Sequence, residues 1–112
     1  MQRIRAAVLA AGMALAVGPP GAWAQGTVQR GEAKAATCSA CHGREGIAGQ
    51  PDAPNLAGQN PIYFERALKE YRSGVRKNEL MSVVAKTLSD NDIRDLAAYY
   101  AAFRVTVVPP GK

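Results

Sequence analysis

The stretch Cys38-Ser39-Ala40-Cys41-His42 decides both the fold and the chemistry of this chain. Two cysteines three positions apart lie on one helical turn, where their thiols can reach the two vinyl groups of a single haem and form thioether bonds. His42 comes next and is then placed beneath the iron as an axial ligand. The motif therefore predicts one haem c, with its iron, bound covalently through Cys38 and Cys41.

Paired cysteines also occur in redox-active dithiols and in zinc sites. A redox-active C-x-x-C follows a strand in an alternating pattern of strands and helices, and no strand is predicted before Cys38. A zinc site needs further cysteine or histidine ligands, whereas the whole chain has two cysteines and one histidine. The residues therefore favour haem over a redox dithiol and over a metal site.

The first 24 residues are predicted to be a signal peptide. Arg3 and Arg5 precede an apolar run over residues 6–17, and Ala22-Trp23-Ala24 has the small-x-small pattern of a cleavage site. The apolar run is shorter than the about 20 residues that span a bilayer, which disfavours the alternative of a retained anchor. We predict Sec-dependent export to the periplasm, cleavage after Ala24, no stable membrane insertion afterwards, and one domain over residues 25–112.

Cleavage leaves 88 of the 112 residues and lowers the formal charge from +5 to +3, because Arg3 and Arg5 are lost. The remaining basic residues alternate with acidic ones, so no nucleic-acid partner is predicted. A domain of this size buries a modest core, and a disulfide between Cys38 and Cys41 would close too small a loop to stabilise it much. A bound haem would supply the missing apolar mass.

Four short helices packed around the haem are predicted, which makes the fold all-α. Asn60 and Ser89 are suitable N-caps, and Gly74 fits the position just past a helix end. The helices are predicted over Val28–Ala40, Pro61–Ser73, Glu79–Thr87 (with Leu80, Val83 and Val84 on one side) and Asp90–Arg104. The loop over residues 43–59 is longer than the about 12–15 residues usual in a compact domain, so we expect it to wrap around the ligand.

Few residues of the mature chain could bind the iron as its second axial ligand. Met1 and Met13 leave with the signal peptide, so Met81 is the one methionine of the mature chain and His42 its one histidine. If the iron has two protein ligands, the second is Met81 or, as an alternative, a lysine. A thioether is a soft ligand that favours ferrous iron.

Two filled axial positions leave no open site for a substrate. This favours electron transfer over oxygen or peroxide chemistry and predicts that the protein is not an enzyme. The alternative is that Met81 is a core residue beside a five-coordinate haem, as in cytochromes of the four-helix-bundle type. Those cytochromes carry the haem motif near the C-terminus, whereas Cys38 lies near the mature N-terminus.

With these residues in place, the mature chain resembles the class I c-type cytochromes of the small bacterial monohaem type, and one half of the dihaem periplasmic cytochromes. The dihaem proteins carry a second C-x-x-C-H, which this chain lacks, so one haem is expected. The matching positions flank the motif on both sides and are Gly31–Thr37, Pro54–Gln59, Tyr63, Tyr71, Gly74, Arg76, Met81, Leu88-Ser89 and Ala97–Tyr100.

The resemblance implies a class I cytochrome c fold whose first and last helices cross at Gly31, close to Tyr99 and Tyr100. It also implies that the carbonyl of Pro54 accepts a hydrogen bond from the His42 ring and so fixes its tautomer.

Four further positions receive a role from the resemblance alone. Gln59 is expected in a turn beneath a haem edge. Tyr63, Tyr71 and Arg76 are candidates for partnering the haem propionates, with core packing or surface charge as an equally weighted alternative.

The predicted function is that of a periplasmic single-electron carrier with one haem held by histidine and methionine. Its partners would be redox proteins that donate and accept electrons in transient encounters, and it would act as a monomer. The alternative is a haem-bearing electron-transfer subunit of a periplasmic dehydrogenase complex. The sequence does not separate the two, because both use the same fold.

Overall fold

The computed structural model describes residues 27–111, and within that range the chain forms five helices and no strand. The prediction of an all-α fold is confirmed. The predicted signal peptide, residues 1–24, lies outside the described residues. The helices are α1 (Val28–Ala35), α2 (Ser39–His42), α3 (Pro61–Ser73), α4 (Glu79–Lys86) and α5 (Asp90–Ala101).

The first predicted helix is in fact two helices, because the chain tightens after Ala35. The amide of Cys38 donates to the carbonyl of Ala35 at 2.9 Å, which is a three-residue turn instead of a helical step. The Ser39 hydroxyl donates a hydrogen bond to the carbonyl of Ala36 at 2.7 Å, which competes with the backbone hydrogen bond that a continuous helix would make there. The haem motif therefore lies on a separate short helix, α2, with Cys38 at its N-cap.

The helices after the loop begin where their N-capping residues predict, and α3 also ends where Gly74 predicts. The side chain of Asn60 accepts hydrogen bonds from two amides of the first turn of α3, and Gly74 ends that helix with a left-handed φ of 83°. Ser89 and Asp92 form a reciprocal capping box at the start of α5. That helix ends at Ala101, three residues before the predicted end at Arg104, and an exposed tail follows.

The first and last long helices cross where Gly31 allows the two backbones to touch. A Cβ atom at this position would lie 2.0 Å from the carbonyl oxygen of Asp95 and 2.6 Å from the Cβ of Tyr99. Both distances are impossible for real atoms, so only glycine permits this approach. The expected crossing of α1 and α5 at Gly31 is confirmed.

Two ion pairs hold the crossing. Asp95 is buried on α5, and its carboxylate accepts from Arg30 Nε at 2.8 Å, from Arg30 Nη2 at 3.0 Å and from the amide of Thr27 at 2.8 Å. The hydrogen bond from Arg30 is the main reason that the pKa of Asp95 is lowered. One turn away, Lys34 contacts Asp92 at 2.9 Å. The start of α1 is thus attached to the middle of α5.

The core lies between α1, α3, α4 and α5, and its members are aliphatic and aromatic. In α4 the buried face differs from the predicted apolar side: Ala85 is fully buried, whereas Leu80 and Val83 are each 66% exposed. Within residues 27–111 no helix is long and apolar enough to cross a membrane. The buried cluster comprises Ala35, Phe64, Leu68, Ala85, Ile93, Leu96, Ala97 and Tyr100.

The substitution Gly31→Ala is expected to destabilise the protein by about 1–3 kcal/mol or more, because the added Cβ forces α1 away from α5. Denaturant unfolding of the haem-bearing protein measures the effect. Gly49→Ala is the matched control, since a Cβ there meets nothing within 4 Å. Equal stability of the Gly31 variant and the wild type would contradict this account of the crossing.

Acid should weaken the attachment of α1 to α5 through Asp92. Hydrogen bonds from Lys34, then from Ser89, lower the pKa of Asp92 to about 2. A lowered folded-state pKa contributes stability above the unfolded-state value, about 3.9, and that stability is lost as the pH falls toward 2.

We therefore expect Asp92→Asn to be less stable than wild type by about 1 kcal/mol at pH 7, with the difference shrinking between pH 4 and pH 2. Thermal melts across this range measure it, and Asp52→Asn, in the exposed loop, is the control. A difference that stays constant down to pH 2 would argue against the assignment.

Candidate functional site

The haem motif is held at one corner of the helix crossing. Its two thiols lie at the N-cap and in the last turn of α2, half-buried, and neither cysteine is in a disulfide. Cys38 also packs against the buried core cluster. The described residues contain no strand, so the motif does not have the strand-to-helix setting of a thioredoxin-like dithiol.

The His42 ring is fixed by one hydrogen bond. It is 7% exposed, and its Nδ1 lies 2.8 Å from the carbonyl oxygen of Pro54. A carbonyl only accepts, so Nδ1 carries the hydrogen and the lone pair of the neutral ring is on Nε2. This is the arrangement of a histidine prepared to bind a metal through Nε2, and the contact with Pro54 agrees with the expected one.

The loop that carries Pro54 is folded back on itself. The carbonyl of Gly46 accepts from the amides of Leu56 at 2.7 Å and Ala57 at 3.0 Å. Gly46 is buried, and a Cβ there would lie 2.7 Å from the Ala57 amide nitrogen and 3.0 Å from the Tyr100 ring. Sequence reasoning assigned Gly46 no role. Its position in a glycine-rich loop directly after the motif was the only available signal.

Met81 lies in the first turn of α4. Its amide donates to the side chain of Asn78 at 2.9 Å, which anchors the backbone at this point. The side chain is half-buried and packs against the same core cluster as Cys38. Both residues therefore lie beside one cluster, although they are more than forty positions apart in the sequence.

The three residues expected near the propionates are brought together. Arg76 Nη1 donates to the Tyr63 hydroxyl at 3.2 Å, and its guanidinium lies 4.8 Å from the centre of the Tyr71 ring. The hydrogen bond with Tyr63 is the main reason that the pKa of Arg76 is raised. The cluster presents a permanent positive charge and a phenol hydroxyl, a combination suited to a carboxylate.

Gln59 does not join this cluster. Ala57 and Gly58 form the turn, and the Gly58 amide donates to the carbonyl of Tyr100 at 2.8 Å, which ties the turn to the end of α5. Gln59 follows the turn, and its side-chain oxygen accepts from the Asn60 amide at 2.9 Å. Its polar group is therefore used locally, at the start of α3.

One polar atom beside the motif is unsatisfied. The Tyr100 hydroxyl is the one buried side-chain oxygen or nitrogen of residues 27–111 without a hydrogen-bond partner. Burial raises the pKa of this hydroxyl and that of the neighbouring Cys38 thiol. Cys38 packs against the core cluster that contains Tyr100, but no hydrogen bond joins the thiol and the hydroxyl. The sequence placed Tyr100 near the helix crossing and gave no sign of where its hydroxyl lies.

These residues fit a covalently attached haem. Two thiols on one helical turn provide the attachment points, and an imidazole with a free Nε2 follows them directly. Met81 offers a soft thioether, and Arg76 offers a cation for a carboxylate. Leu80 and Val83, left exposed on α4, offer apolar surface that a flat macrocycle would cover.

Comparisons with known proteins give a consistent result. A family model described as cytochrome C oxidase, cbb3-type, subunit III, matches residues 26–99. Cytochrome c-554(548) of Halomonas halodenitrificans is 48% identical over 80 residues, which cover 69% of this chain and 96% of that protein. The thiosulfate dehydrogenase electron acceptor of Stutzerimonas stutzeri is 39% identical over 67 residues, covering 57% of this chain and 31% of that protein.

A solved structure is similar as well. The crystal structure of reduced recombinant cytochrome c4 from Pseudomonas stutzeri matches with a TM-score of 0.68 and 34% sequence identity, over 73% of this chain. The present chain spans 48% of that protein. It therefore corresponds to about half of the solved relative and to nearly the whole of the Halomonas protein.

Proposed function

Since the chain belongs to the class I cytochrome c family, in which covalently bound haem c transfers electrons, we propose that it is a periplasmic single-electron carrier with one haem ligated by His42 and Met81. The expected family and fold are both confirmed by these matches. When bound, the haem supplies a one-electron couple at its iron. The remaining chemistry belongs to the residues of the chain.

Cys38 and Cys41 hold the group covalently. Each thiol gives its sulfur to one carbon of a vinyl group and its hydrogen to the other, so that attachment consumes no oxidant or reductant. The turn between α1 and α2 supports this role, because it places both sulfurs on one short helix beside the core.

His42 and Met81 would supply the two protein ligands of the iron. The observation that carries the proposal is the hydrogen bond from His42 Nδ1 to the Pro54 carbonyl at 2.8 Å, which directs the Nε2 lone pair away from the loop. Met81 is supported by its position beside the core cluster and by the absence of any other methionine from the mature sequence. With both positions filled, no open site remains for a substrate, so we propose that the protein is not an enzyme.

Arg76 and Tyr63 would hold a propionate, with Tyr71 stacked beneath the guanidinium. The cation and the hydroxyl already form one cluster, so binding a carboxylate requires little rearrangement. Gln59 is proposed to lie by a haem edge, directly after the turn at Ala57 and Gly58, with its side-chain oxygen accepting from the Asn60 amide.

The proposed location and partners follow from the sequence and the comparisons. Residues 1–24 are proposed as a cleaved signal peptide, which places residues 25–112 in the periplasm. One relative is named as the electron acceptor of a dehydrogenase, which supports redox proteins as donors and acceptors. Transient exchange as a free monomer is proposed, with a stable dehydrogenase subunit as the competing arrangement.

Replacing Met81 tests the axial assignment. We expect Met81→Ala to abolish the charge-transfer band between methionine and ferric iron and to lower the midpoint potential, because the soft thioether favours ferrous iron. Absorption spectra and redox titration of the holoprotein measure both. Glu79→Gln, at an exposed position in the same turn of α4, is the control, and an unchanged band in the Met81 variant would mean that another residue is the ligand.

Size-exclusion chromatography of a native periplasmic extract separates the two arrangements. The free carrier elutes at the size of one 88-residue chain with its haem, whereas a subunit elutes in a larger complex. The isolated protein should also exchange electrons with a redox enzyme from its host. A Cys38→Ser, Cys41→Ser double variant is the control, since it should lose covalent haem and with it this exchange.

A further inference from the structure

The hydroxyl of Tyr100 is the least explained feature of the site. The residue is 0% exposed, and its hydroxyl oxygen has no hydrogen-bond partner within the described residues. A buried polar group without a partner costs free energy, and a phenylalanine of the same shape would avoid that cost. The unpaired Tyr100 hydroxyl is therefore expected to have a partner in the functional state of the protein.

The Tyr100 ring cannot turn its hydroxyl toward another partner. The ring packs against Phe64 with centroids 5.5 Å apart. The loop backbone lies against one edge of the ring at Gly46, where the missing side chain leaves room for this contact. The carbonyl of Tyr100 is tied to the Gly58 amide at 2.8 Å. Contacts from α3, from the loop and from the turn thus fix the direction of the phenol.

The candidate partner of the hydroxyl is the Cys38 sulfur, because Cys38 packs against the core cluster that contains Tyr100. Burial raises the pKa of both groups, and each also acts on the other: the hydroxyl lowers the pKa of the thiol, and Cys38 raises the pKa of the phenol. Once the sulfur is a thioether it has no hydrogen of its own and can only accept. The unpaired donor and this acceptor are then complementary.

We propose that, in the haem-bearing protein, the Tyr100 hydroxyl donates a hydrogen bond to the Cys38 sulfur. Tyr100 is thereby a positioning residue for one of the two haem attachments. This inference rests on the proposed function, because it requires haem to be bound through Cys38. Hydrogen bonds around an attached haem help to set its potential, and a donor to this sulfur would favour the form that holds the extra electron.

The substitution Tyr100→Phe separates this role from simple packing. If the hydroxyl is only an unsatisfied group, its removal leaves the potential unchanged and the melting temperature equal or higher. If it donates to the sulfur, the variant holoprotein shows a lower midpoint potential and a lower melting temperature. Tyr99→Phe, which alters the adjacent tyrosine on the same helix, is the matched control and should leave the potential unchanged.

The bond can also be observed in the unaltered protein, which keeps the proposal testable if the variant folds poorly. In the reduced, diamagnetic holoprotein the Tyr100 hydroxyl proton should give a slowly exchanging resonance with a nuclear Overhauser effect to the Cys38 β-protons. The absence of this resonance, or an unchanged potential and stability in Tyr100→Phe, would overturn the proposal.

Intact-mass and pyridine haemochrome analysis of the wild type distinguishes the two possible failures. Covalent haem at both cysteines together with no effect of Tyr100→Phe refutes the positioning role alone. Absence of haem at Cys38 refutes the proposed attachment and this inference with it.

Discussion

The contact between α1 and α5 at Gly31 is the constraint on which the rest of the structure depends. Because no Cβ intervenes, the two backbones approach within van der Waals contact, and Asp95 can bind both Arg30 and the amide of Thr27. The end of α1 is thereby fixed relative to α5. The haem motif begins at Cys38, three residues after the end of α1, so this contact determines where the motif lies with respect to the core.

Around that fixed corner, the candidate site is assembled from a loop and a separate helix. The loop after the motif delivers the Pro54 carbonyl to His42, and its own shape depends on the buried Gly46. Met81 comes from a different helix, where Asn78 anchors its backbone. The short α4 makes most of its helix contacts with α3, and its exposed Leu80 and Val83 leave one apolar side uncovered.

Much of this was predictable from the sequence because the relevant rules are local. Asn60, Gly74 and Ser89 act within a few residues of themselves, and each ends or begins a helix where expected. The motif pointed to haem without any knowledge of the fold, and Met81, the one methionine outside the predicted signal peptide, pointed to a second ligand. The break after Ala35 was missed because an alanine-rich sequence favours helix. Helix propensities do not include the hydrogen bond from the Ser39 side chain to the Ala36 carbonyl, which competes with the helix here. The buried face of α4 and the orientation of the Tyr100 hydroxyl depend on contacts distant in the sequence, which periodicity does not encode.

The ion pair between Arg30 and Asp95 has a consequence for the order in which the protein is made. The two residues are 65 positions apart, and nearly the whole chain must emerge before they can meet. Helix α1 makes its extensive helix contacts with α5 alone, so it cannot dock stably until α5 is available. Throughout that interval the cysteines of the motif lack the cover that Tyr100 provides. The thiols are thus most accessible for haem attachment in the period before the domain closes over them.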